Sequence, residues 1–365
     1  MRSSVSVAAT TPYEVLVQPA LDLANAVSTI SPGGAGETAI LLTDSTVGPF
    51  HAPAVAAALQ RAGWDVLDTV TVPAGEASKS LSIYEGVVRG LAAAGLPRGG
   101  TLFALGGGVV GDLGGFVASS YMRGIGFVQL PTSLLAMVDS SVGGKVGLDL
   151  PEGKNLLGAF LQPRLVAANL DWLGTLPASE VSHGLAEVIK MGLLAGGEFF
   201  EDLERFLEAA RAGDPEALQA LILDSVRYKA SIVSEDEREA GPRAVLNYGH
   251  TIGHGLEAAA SYDLPHGQAI ALGMLAAARL SSEKFDVDLL GLHEDLLRAA
   301  GLPLKAPMTA VEPVLAAMGR DKKRRGSDQA GTHRFILLKD IGQPQRDEPV
   351  STAEARRAIG AILGS

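Results

Sequence analysis

The chain has 365 residues, of which 47% are hydrophobic and 19% charged, and this predicts a folded protein of about two domains. Its formal net charge of -11 argues against nucleic acid or an anionic membrane as a partner, because both attract basic surfaces. The chain has no cysteine, which excludes disulfides and thiolate catalysis, leaves nitrogen and oxygen as metal ligands, and fits a cytoplasmic location.

The first half of the chain alternates between strand and helix patterns. Residues 1–11 are predicted to be a loose tail because they lack the apolar core of a signal peptide, and no apolar run is long enough to span a membrane. Strands are predicted at residues 13–17, 38–43, 65–72, 101–105 and 127–130. Helices are predicted at residues 52–62, 80–94 and 113–120. Such alternation implies a parallel sheet covered by helices on both faces.

A glycine-rich segment, GGGVVGD at residues 106–112, follows the strand predicted at 101–105. Glycine lets the backbone approach a ligand closely, and the helix that follows offers N–H groups and a positive dipole end. The segment therefore predicts a phosphate or pyrophosphate site. It also matches Gly-x-Gly-x-x-Gly, but the carboxylate expected about twenty residues later in a Rossmann fingerprint is not placed correctly. The alternative interpretation is a close packing contact between helix and strand.

Charged residues in three other loops are candidate ligand contacts. Glu76 and Lys79 lie three residues apart in the segment PAGEASK, a pattern that alone is typical of a solvated turn. Lys145, Lys154 and Asn155 lie in glycine-rich, apolar surroundings, which favours a ligand-facing position over a solvated one.

The composition changes near Pro177, and we expect two domains there, residues 1–177 and 178–365. Beyond this boundary the pattern is mostly helical, with helices predicted at 179–194, 199–211, 215–233, 251–260, 268–285, 289–300 and 352–363. A single late strand is predicted at residues 335–338.

Three histidines lie within seventeen residues, in the segments LNYGHTIGH and LPHG. His250 and His254 are four residues apart, which places them on one helix face and is typical of metal ligands. The alternative for such a pair is a half-exposed helix face. His266 adds a third imidazole and strengthens the metal interpretation, provided that a carboxylate completes the site. No role is assigned to the isolated histidines His51, His183, His293 and His333.

The missing carboxylate is predicted to be Glu187, in the segment GLAEVIK. Glu187 and Lys190 lie three residues apart, which allows either a weak surface pair or a pair within a site. Their apolar flanks favour the site, since burying an unpaired charge is costly. Glu187, His250 and His266 then form a His2Glu site with a position open to an exogenous ligand.

Several basic residues accompany the histidines. Lys229, Arg243 and Lys322 match what a substrate with carboxylate and phosphate groups requires. The adjacent residues 323–325 are interpreted as a solvated turn.

Taken together, these segments resemble the 3-dehydroquinate synthase family, within the wider sugar phosphate cyclases. The resemblance runs from about residue 44 to residue 323 and rests on the motifs GGGVVGD, SSYMRG, VDSSVGGK, GKNLLGAF, GLAEVIK, EREAG, LNYGHTIGH, LPHG and DKK. It implies an α/β N-terminal NAD-binding domain with a parallel sheet, a mostly α-helical C-terminal metal-binding domain, and a homodimer.

The resemblance also implies site residues. The divalent metal, zinc or cobalt, would be bound by Glu187, His250 and His266. NAD would contact Asp44, Glu76, Lys79, Gly107, Gly108, Val109, Val110, Gly111, Asp112, Thr132, Ser133, Asp139, Lys145, Lys154 and Thr175. Substrate would be held by Lys145, Asn155, Lys190, Lys229, Arg243, Asn247, His254 and Lys322, with Arg123 reaching in from the other subunit.

The implied reaction converts 3-deoxy-D-arabino-heptulosonate 7-phosphate to 3-dehydroquinate and phosphate, a step of the shikimate pathway. The C5 alcohol is oxidised by NAD, phosphate leaves by β-elimination, the ketone is reduced again, and the ring opens and recloses by an intramolecular aldol step. A sugar acid phosphate is thus the expected partner.

Two residues depart from the family pattern. Thr46 stands where asparagine is usual, and Gln268 follows His-Gly where glutamate is common. The alternatives are a cyclase of secondary metabolism, of the aminodehydroquinate type rather than one making an inosose or a valiolone, and a metal-dependent polyol dehydrogenase. A non-catalytic NAD-binding regulator is disfavoured because acid, base and metal residues are all present.

Overall fold

The computed structural model describes residues 3–30, 37–308, 310–319 and 331–364. The chain divides into two compact units, Met1–Pro177 with Ile222–Arg238, and Ala178–Leu221 with Glu239–Ser365. The first unit is an α/β structure and the second is mostly helical, as the sequence predicted.

The first unit is built on a seven-stranded sheet in the order β1-β2-β9-β6-β5-β3-β4, counted over the described residues. Every neighbouring pair is parallel except β1 with β2. The sheet strands are β1 Ser4–Val7, β2 Tyr13–Gln18, β3 Glu37–Asp44, β4 Trp64–Val72, β5 Thr101–Gly106, β6 Gly126–Pro131 and β9 Leu165–Asn169. The helices are α1 Leu23–Ser28, α2 Gly48–Arg61, α3 Leu81–Ala93 and α4 Gly108–Ser120.

Both faces of this sheet are buried, which explains the continuous apolar runs of its central strands. In β5, Phe103 and Leu105 pack in a cluster with Leu59 of α2. Leu102 and Ala104 face the other way, into a cluster with Val110, Leu113 and Val117 of α4. Helices therefore cover the sheet on both sides, as expected from the strand and helix alternation.

Two predictions for this unit were wrong. Residues 1–11 are not simply a loose tail, because Ser4–Val7 forms β1 and pairs antiparallel with β2. The glycine-rich segment after residue 144 is not only loop, because β7 Lys145–Leu150 and β8 Gly153–Phe160 form an antiparallel hairpin. Gly147 and Gly158 permit this hairpin, since a Cβ at either would lie within 2.7 Å of the opposite strand's backbone.

The second unit consists mainly of helices packed around α9. Its helices are α5 Ala178–Ala195, α6 Gly197–Arg211, the first part of α7 Pro215–Glu235, α8 His250–Ala259, α9 His266–Phe285, α10 Leu290–Ala299, α11 Glu312–Met318 and α12 Thr352–Ile362. Its strands β10 Thr332–Leu338 and β11 Pro344–Ser351 pair antiparallel, so the single predicted late strand has a partner that the sequence did not reveal.

The second half of α7 belongs to the first unit, whereas the sequence placed all of this helix in the second domain. Two polar contacts join this half of α7 to the first unit. Lys229 donates to the Asp139 side chain at 2.7 Å, and Ser234 Oγ accepts from the Ala8 backbone N–H at 3.2 Å. The predicted boundary at Pro177 did not include this return of the chain.

Candidate active site

Glu187, His250 and His266 come together from three helices of the second unit. Glu187 lies within α5, whereas His250 and His266 are the first residues of α8 and α9. The Nε2 atoms of His250 and His266 lie 3.7 and 3.5 Å from Glu187 Oε1. One ligand atom from each residue lies within 4.8 Å of the other two, which is a spacing that one metal ion can span.

Two glycines allow the helices to approach closely enough for this arrangement. A Cβ at Gly267 would lie 2.3 Å from the backbone oxygen of His183 in α5. A Cβ at Gly273 would lie 1.9 Å from the backbone oxygen of Gly249, directly before α8. The glycines thus set the separation of the helices that carry the three side chains.

The carboxylate of Glu187 has the properties of a metal ligand. Both of its oxygens are buried, and among the described residues none donates a hydrogen bond of normal geometry to either oxygen. Burial alone would raise the pKa of Glu187, but the charge of Lys190 and the neighbouring His266 lower it to about 2. A buried, ionised carboxylate between two imidazoles fits a divalent cation such as zinc or cobalt.

His250 is held as a neutral imidazole. Burial, together with the positive charge of Lys190 and the neighbouring imidazoles, keeps the pKa of His250 well below its usual range. Its Nδ1 lies 3.0 Å from the backbone oxygen of Tyr248, to which the Nδ1–H can donate. The Nε2 lone pair is then directed toward Glu187, as metal ligation requires.

His266 lies between two carboxylates. Its Nε2 lies near Glu187, and its Nδ1 lies 3.4 Å from Glu257 Oε1. Burial opposes protonation of this imidazole, but Glu187 and Glu257 outweigh it and raise the pKa of His266 to about 9. Sequence reasoning missed Glu257, although a lone carboxylate among apolar residues of α8 is a signal that could have identified it.

Four of the predicted substrate residues lie in this unit. Lys190 is buried and forms an ion pair with Glu187. Arg243 is buried, and Asn247 Nδ2 donates to Glu239 Oε1 at 2.8 Å. The exposed ring of His254 lies 5.1 Å from that of His250, centroid to centroid. Lys322 lies outside the described residues.

The predicted NAD residues lie in the first unit, mostly at the carboxyl ends of its parallel strands. After β3 the chain crosses to β4 on one side, and after β5 it crosses to β6 on the other. The strand order therefore reverses between β3 and β5, which is where open α/β sheets bind nucleotides. Asp44 ends β3 and Gly107 directly follows β5.

The loop after each of these strands is organised by local contacts. Asp44 Oδ1 accepts from the backbone N–H groups of Thr46 and Val47 at 2.8 and 2.9 Å, so this carboxylate fixes its own turn. Gly107 precedes α4, and no side chain of the described residues caps that helix. The backbone N–H groups at the start of α4 can therefore face a pyrophosphate.

Lys79 is the centre of a buried polar group, which corrects the view of its segment as a simple solvated turn. It is 4% exposed and donates to Asp112 at 2.9 Å and to Asn155 at 2.6 Å. Burial lowers the pKa of Lys79, but Asp112, Glu76 and Asp149 outweigh it and raise the value. Asp149, which the sequence did not single out, also accepts from the Asn155 backbone N–H at 2.7 Å.

The remaining predicted residues of this unit lie in separate local settings. Lys229 donates to both the side chain and the backbone oxygen of Asp139, at 2.7 and 2.6 Å. Thr175 Oγ1 lies 2.8 Å from Nε2 of His51, which had been given no role. Thr132 and Ser133 follow β6, and Lys145 begins β7. Lys154 lies in β8, and its Nζ lies 3.6 Å from Glu76 Oε1. Arg123 is exposed, and its backbone is left-handed with φ +70°.

None of the helices in the described ranges combines the length and apolar character that crossing a membrane requires.

Comparison with known proteins places these features in one family. The family model for the 3-dehydroquinate synthase N-terminal domain matches residues 69–183, and that for the C-terminal domain matches residues 184–324. A 3-dehydroquinate synthase of Xylella fastidiosa is 44% identical over 371 residues, covering 98% of this chain and 91% of the relative.

Two solved structures share the whole architecture. A 2-deoxy-scyllo-inosose synthase complexed with carbaglucose-6-phosphate, NAD+ and Co2+ superposes with a TM-score of 0.88 at 26% identity, covering 99% of this chain and 100% of the other. The 2-epi-5-epi-valiolone synthase of Streptomyces hygroscopicus with NAD+ and Zn2+ superposes with a TM-score of 0.85 at 28% identity, covering 96% of each chain.

Proposed function

This chain belongs to the 3-dehydroquinate synthase family, and we infer that it converts 3-deoxy-D-arabino-heptulosonate 7-phosphate to 3-dehydroquinate and inorganic phosphate. It is a carbon–oxygen lyase that uses NAD and one divalent metal ion, zinc or cobalt. The observation that carries this proposal is the buried Glu187 carboxylate, ionised between two imidazoles and beside Lys190.

The cofactors supply two kinds of chemistry when bound: NAD provides reversible hydride transfer at the C5 alcohol, and the metal ion provides Lewis acidity toward the substrate oxygens. Glu187, His250 and His266 would hold the metal. Asp44, the start of α4 and the polar group around Lys79 would hold NAD. Because the C5 carbon is first oxidised and then reduced, the overall reaction has no net redox change and ends with one phosphate released.

The chain's own cations bind the substrate. Lys190 is buried and forms an ion pair with Glu187. Arg243 and Lys229 are buried, and guanidinium and ammonium groups are suited to pair with carboxylate or phosphate oxygens. The set assigned to substrate is Lys145, Asn155, Lys190, Lys229, Arg243, Asn247, His254 and Lys322. Desolvation strengthens the contacts of the three buried members, Lys190, Lys229 and Arg243, relative to contacts made in water.

Proton transfer is assigned to His254. Its ring lies next to that of His250 but is exposed, unlike the two metal-binding imidazoles. An imidazole outside the metal group can accept and return a proton near neutral pH. In this assignment His254 contacts the departing phosphate or accepts the proton that is lost with it. The metal ligands are then Glu187, His250 and His266.

We include a homodimer and a cytoplasmic location in the proposal. Arg123 lies in the exposed turn Tyr121–Arg123, where Met122 is 44% exposed. On such a turn an exposed apolar side chain is suited to contact a second copy of the chain, and the adjacent arginine is suited to reach the substrate of that copy. The cytoplasm is favoured because the proposed substrate and NAD both carry charged phosphate groups, which do not cross a bilayer unaided.

The test supplies the heptulosonate phosphate and NAD to purified protein and follows phosphate, absorbance at 340 nm and product. We expect stoichiometric phosphate, 3-dehydroquinate by NMR, no lasting NADH, and complete loss of activity with a chelator. Lasting accumulation of NADH would instead identify a polyol dehydrogenase. A turnover that requires an aminated substrate would identify a cyclase of secondary metabolism.

A further inference from the structure

We propose that Glu257 is a positioning residue that fixes the tautomer and orientation of the metal-binding His266. This inference rests on the metal assignment above and adds a residue to it. Glu257 Oε1 lies 3.4 Å from His266 Nδ1, on the side of the ring opposite the Nε2 that faces Glu187. The Glu257 side chain is 3% exposed, so its carboxylate meets the ring with little competition from water.

The orientation of the ring decides whether His266 can bind a metal. A neutral imidazole has one N–H donor and one lone pair, and only the nitrogen with the lone pair is a ligand. If Nδ1 carries the hydrogen and donates it to Glu257, the Nε2 lone pair is directed at the metal group. A carboxylate that accepts a hydrogen bond from the non-ligating nitrogen also increases the basicity of the ligating nitrogen.

The second histidine of the group has the same arrangement with a different acceptor. His250 Nδ1 lies 3.0 Å from the Tyr248 backbone oxygen, and its Nε2 faces Glu187. Both imidazoles therefore present Nε2 to the same carboxylate and turn Nδ1 to an oxygen. At equal distance, a charged acceptor makes a stronger hydrogen bond than a neutral carbonyl does.

Glu257 could instead be a ligand, because His254, Glu257 and His266 form a second group with ligand atoms within 4.8 Å of one another. That group would use His266 Nδ1 as the ligand and would leave the buried Glu187 carboxylate with only His250 of its two imidazole partners. His254 is also exposed, whereas Glu187 is fully buried. The observations therefore favour metal at Nε2 and a hydrogen bond at Nδ1.

The experiment measures zinc affinity of the full-length protein by chelator competition, with the visible spectrum of the Co2+ form as a second readout. We expect Glu257→Gln, which keeps shape but removes charge, to weaken zinc binding about tenfold, and Glu257→Ala up to about 100-fold. The Co2+ spectrum should shift in both, while circular dichroism of the metal-free Glu257→Gln protein should show the wild-type fold.

Glu180→Gln is the matched control, because Glu180 Oε1 lies 3.2 Å from Nδ1 of His183 in α5 and neither residue is assigned to the metal. This variant should bind zinc as the wild type does. Wild-type affinity and spectrum in Glu257→Gln would overturn the inference. The inference would also be overturned if the wild-type chain bound two zinc ions and Glu257→Gln bound one, because Glu257 would then be a metal ligand. Glu187→Ala tests the metal assignment separately, since retained zinc there contradicts that assignment and not only the role of Glu257.

Discussion

Gly273 of α9 lies against the backbone of Gly249, so closely that a Cβ at residue 273 would be 1.9 Å from the Gly249 oxygen. Gly249 itself has φ +78° and is followed at once by His250. Since a backbone oxygen cannot move aside as a flexible side chain can, this contact fixes the start of α8 relative to α9. The separation of His250 from His266 depends on it.

Gly273→Ala should therefore damage both stability and metal binding. The added methyl group must push α8 and α9 apart, at a cost of about 1–3 kcal/mol. Thermal unfolding should show a lower midpoint, and zinc content should fall below one per chain. Gly291→Ala in α10 is the control, because a Cβ there meets nothing within 4 Å and alanine is the better helix former. A Gly273→Ala protein with wild-type midpoint and zinc content would contradict the packing argument.

Lys190 and Glu187 form a buried ion pair, and removing only one partner should be more harmful than removing both. Glu187→Ala should destabilise the metal-free protein by about 3–5 kcal/mol, because it leaves Lys190 charged and buried. The double variant Glu187→Ala with Lys190→Met should recover much of that stability. It should still lack zinc and activity. Equal unfolding free energies for the single and double variants would argue against a buried charge at Lys190.

Replacing Lys79 should reduce the stability of the protein more than replacing a surface lysine in an ion pair of similar length. Lys79→Met leaves Asp112 and Asp149 without their buried cation, and we expect a loss of about 3 kcal/mol and a raised KM for NAD. Lys284→Met is the control, since Lys284 pairs with Glu348 at 2.9 Å but is 30% exposed. That pair should contribute less than about 1 kcal/mol. Similar losses in the two variants would show that burial does not determine the effect.

His293 should make the protein less stable in acid. Its Nε2 accepts from the Tyr248 hydroxyl at 2.8 Å and its Nδ1–H donates to the Leu289 oxygen at 2.7 Å. Burial lowers the pKa of His293 from 6.5 to about 4. The unfolded chain therefore takes up a proton at higher pH than the folded protein does, and stability falls as pH decreases from 6.5 toward 4. The contribution reaches about 3 kcal/mol at pH 4.

His293→Gln removes this titration while keeping an amide that can donate and accept. Urea unfolding of the metal-free proteins at pH 7 and pH 4.5 should show a smaller loss of stability in the variant than in the wild type. Identical losses would mean that His293 is protonated in the folded state or contributes nothing to the pH dependence.

The sequence was most informative where the structure depends on local pattern. The strand and helix alternation of the first unit follows from apolar runs and turn residues. The glycine-rich segment at residues 106–112 follows a buried strand, as predicted, but α4 begins within it, at Gly108, rather than after it. The short strand Ser4–Val7 was missed because its pairing with β2, rather than its own four residues, makes it a strand. The hairpin of β7 and β8 was missed for the same reason.

For the site, the sequence by itself identified the residue types and three of the segments that carry them. Only the tertiary structure decided which atoms meet. Helical periodicity pairs His250 with His254, but the rotation of α8 against α5 and α9 turns His250 Nε2 toward Glu187, and His254 lies outside that group. Glu257 acquires a partner in the same way, from a helix that begins nine residues later. Helical spacing determines the face on which a side chain lies, whereas packing between helices determines what that face contacts.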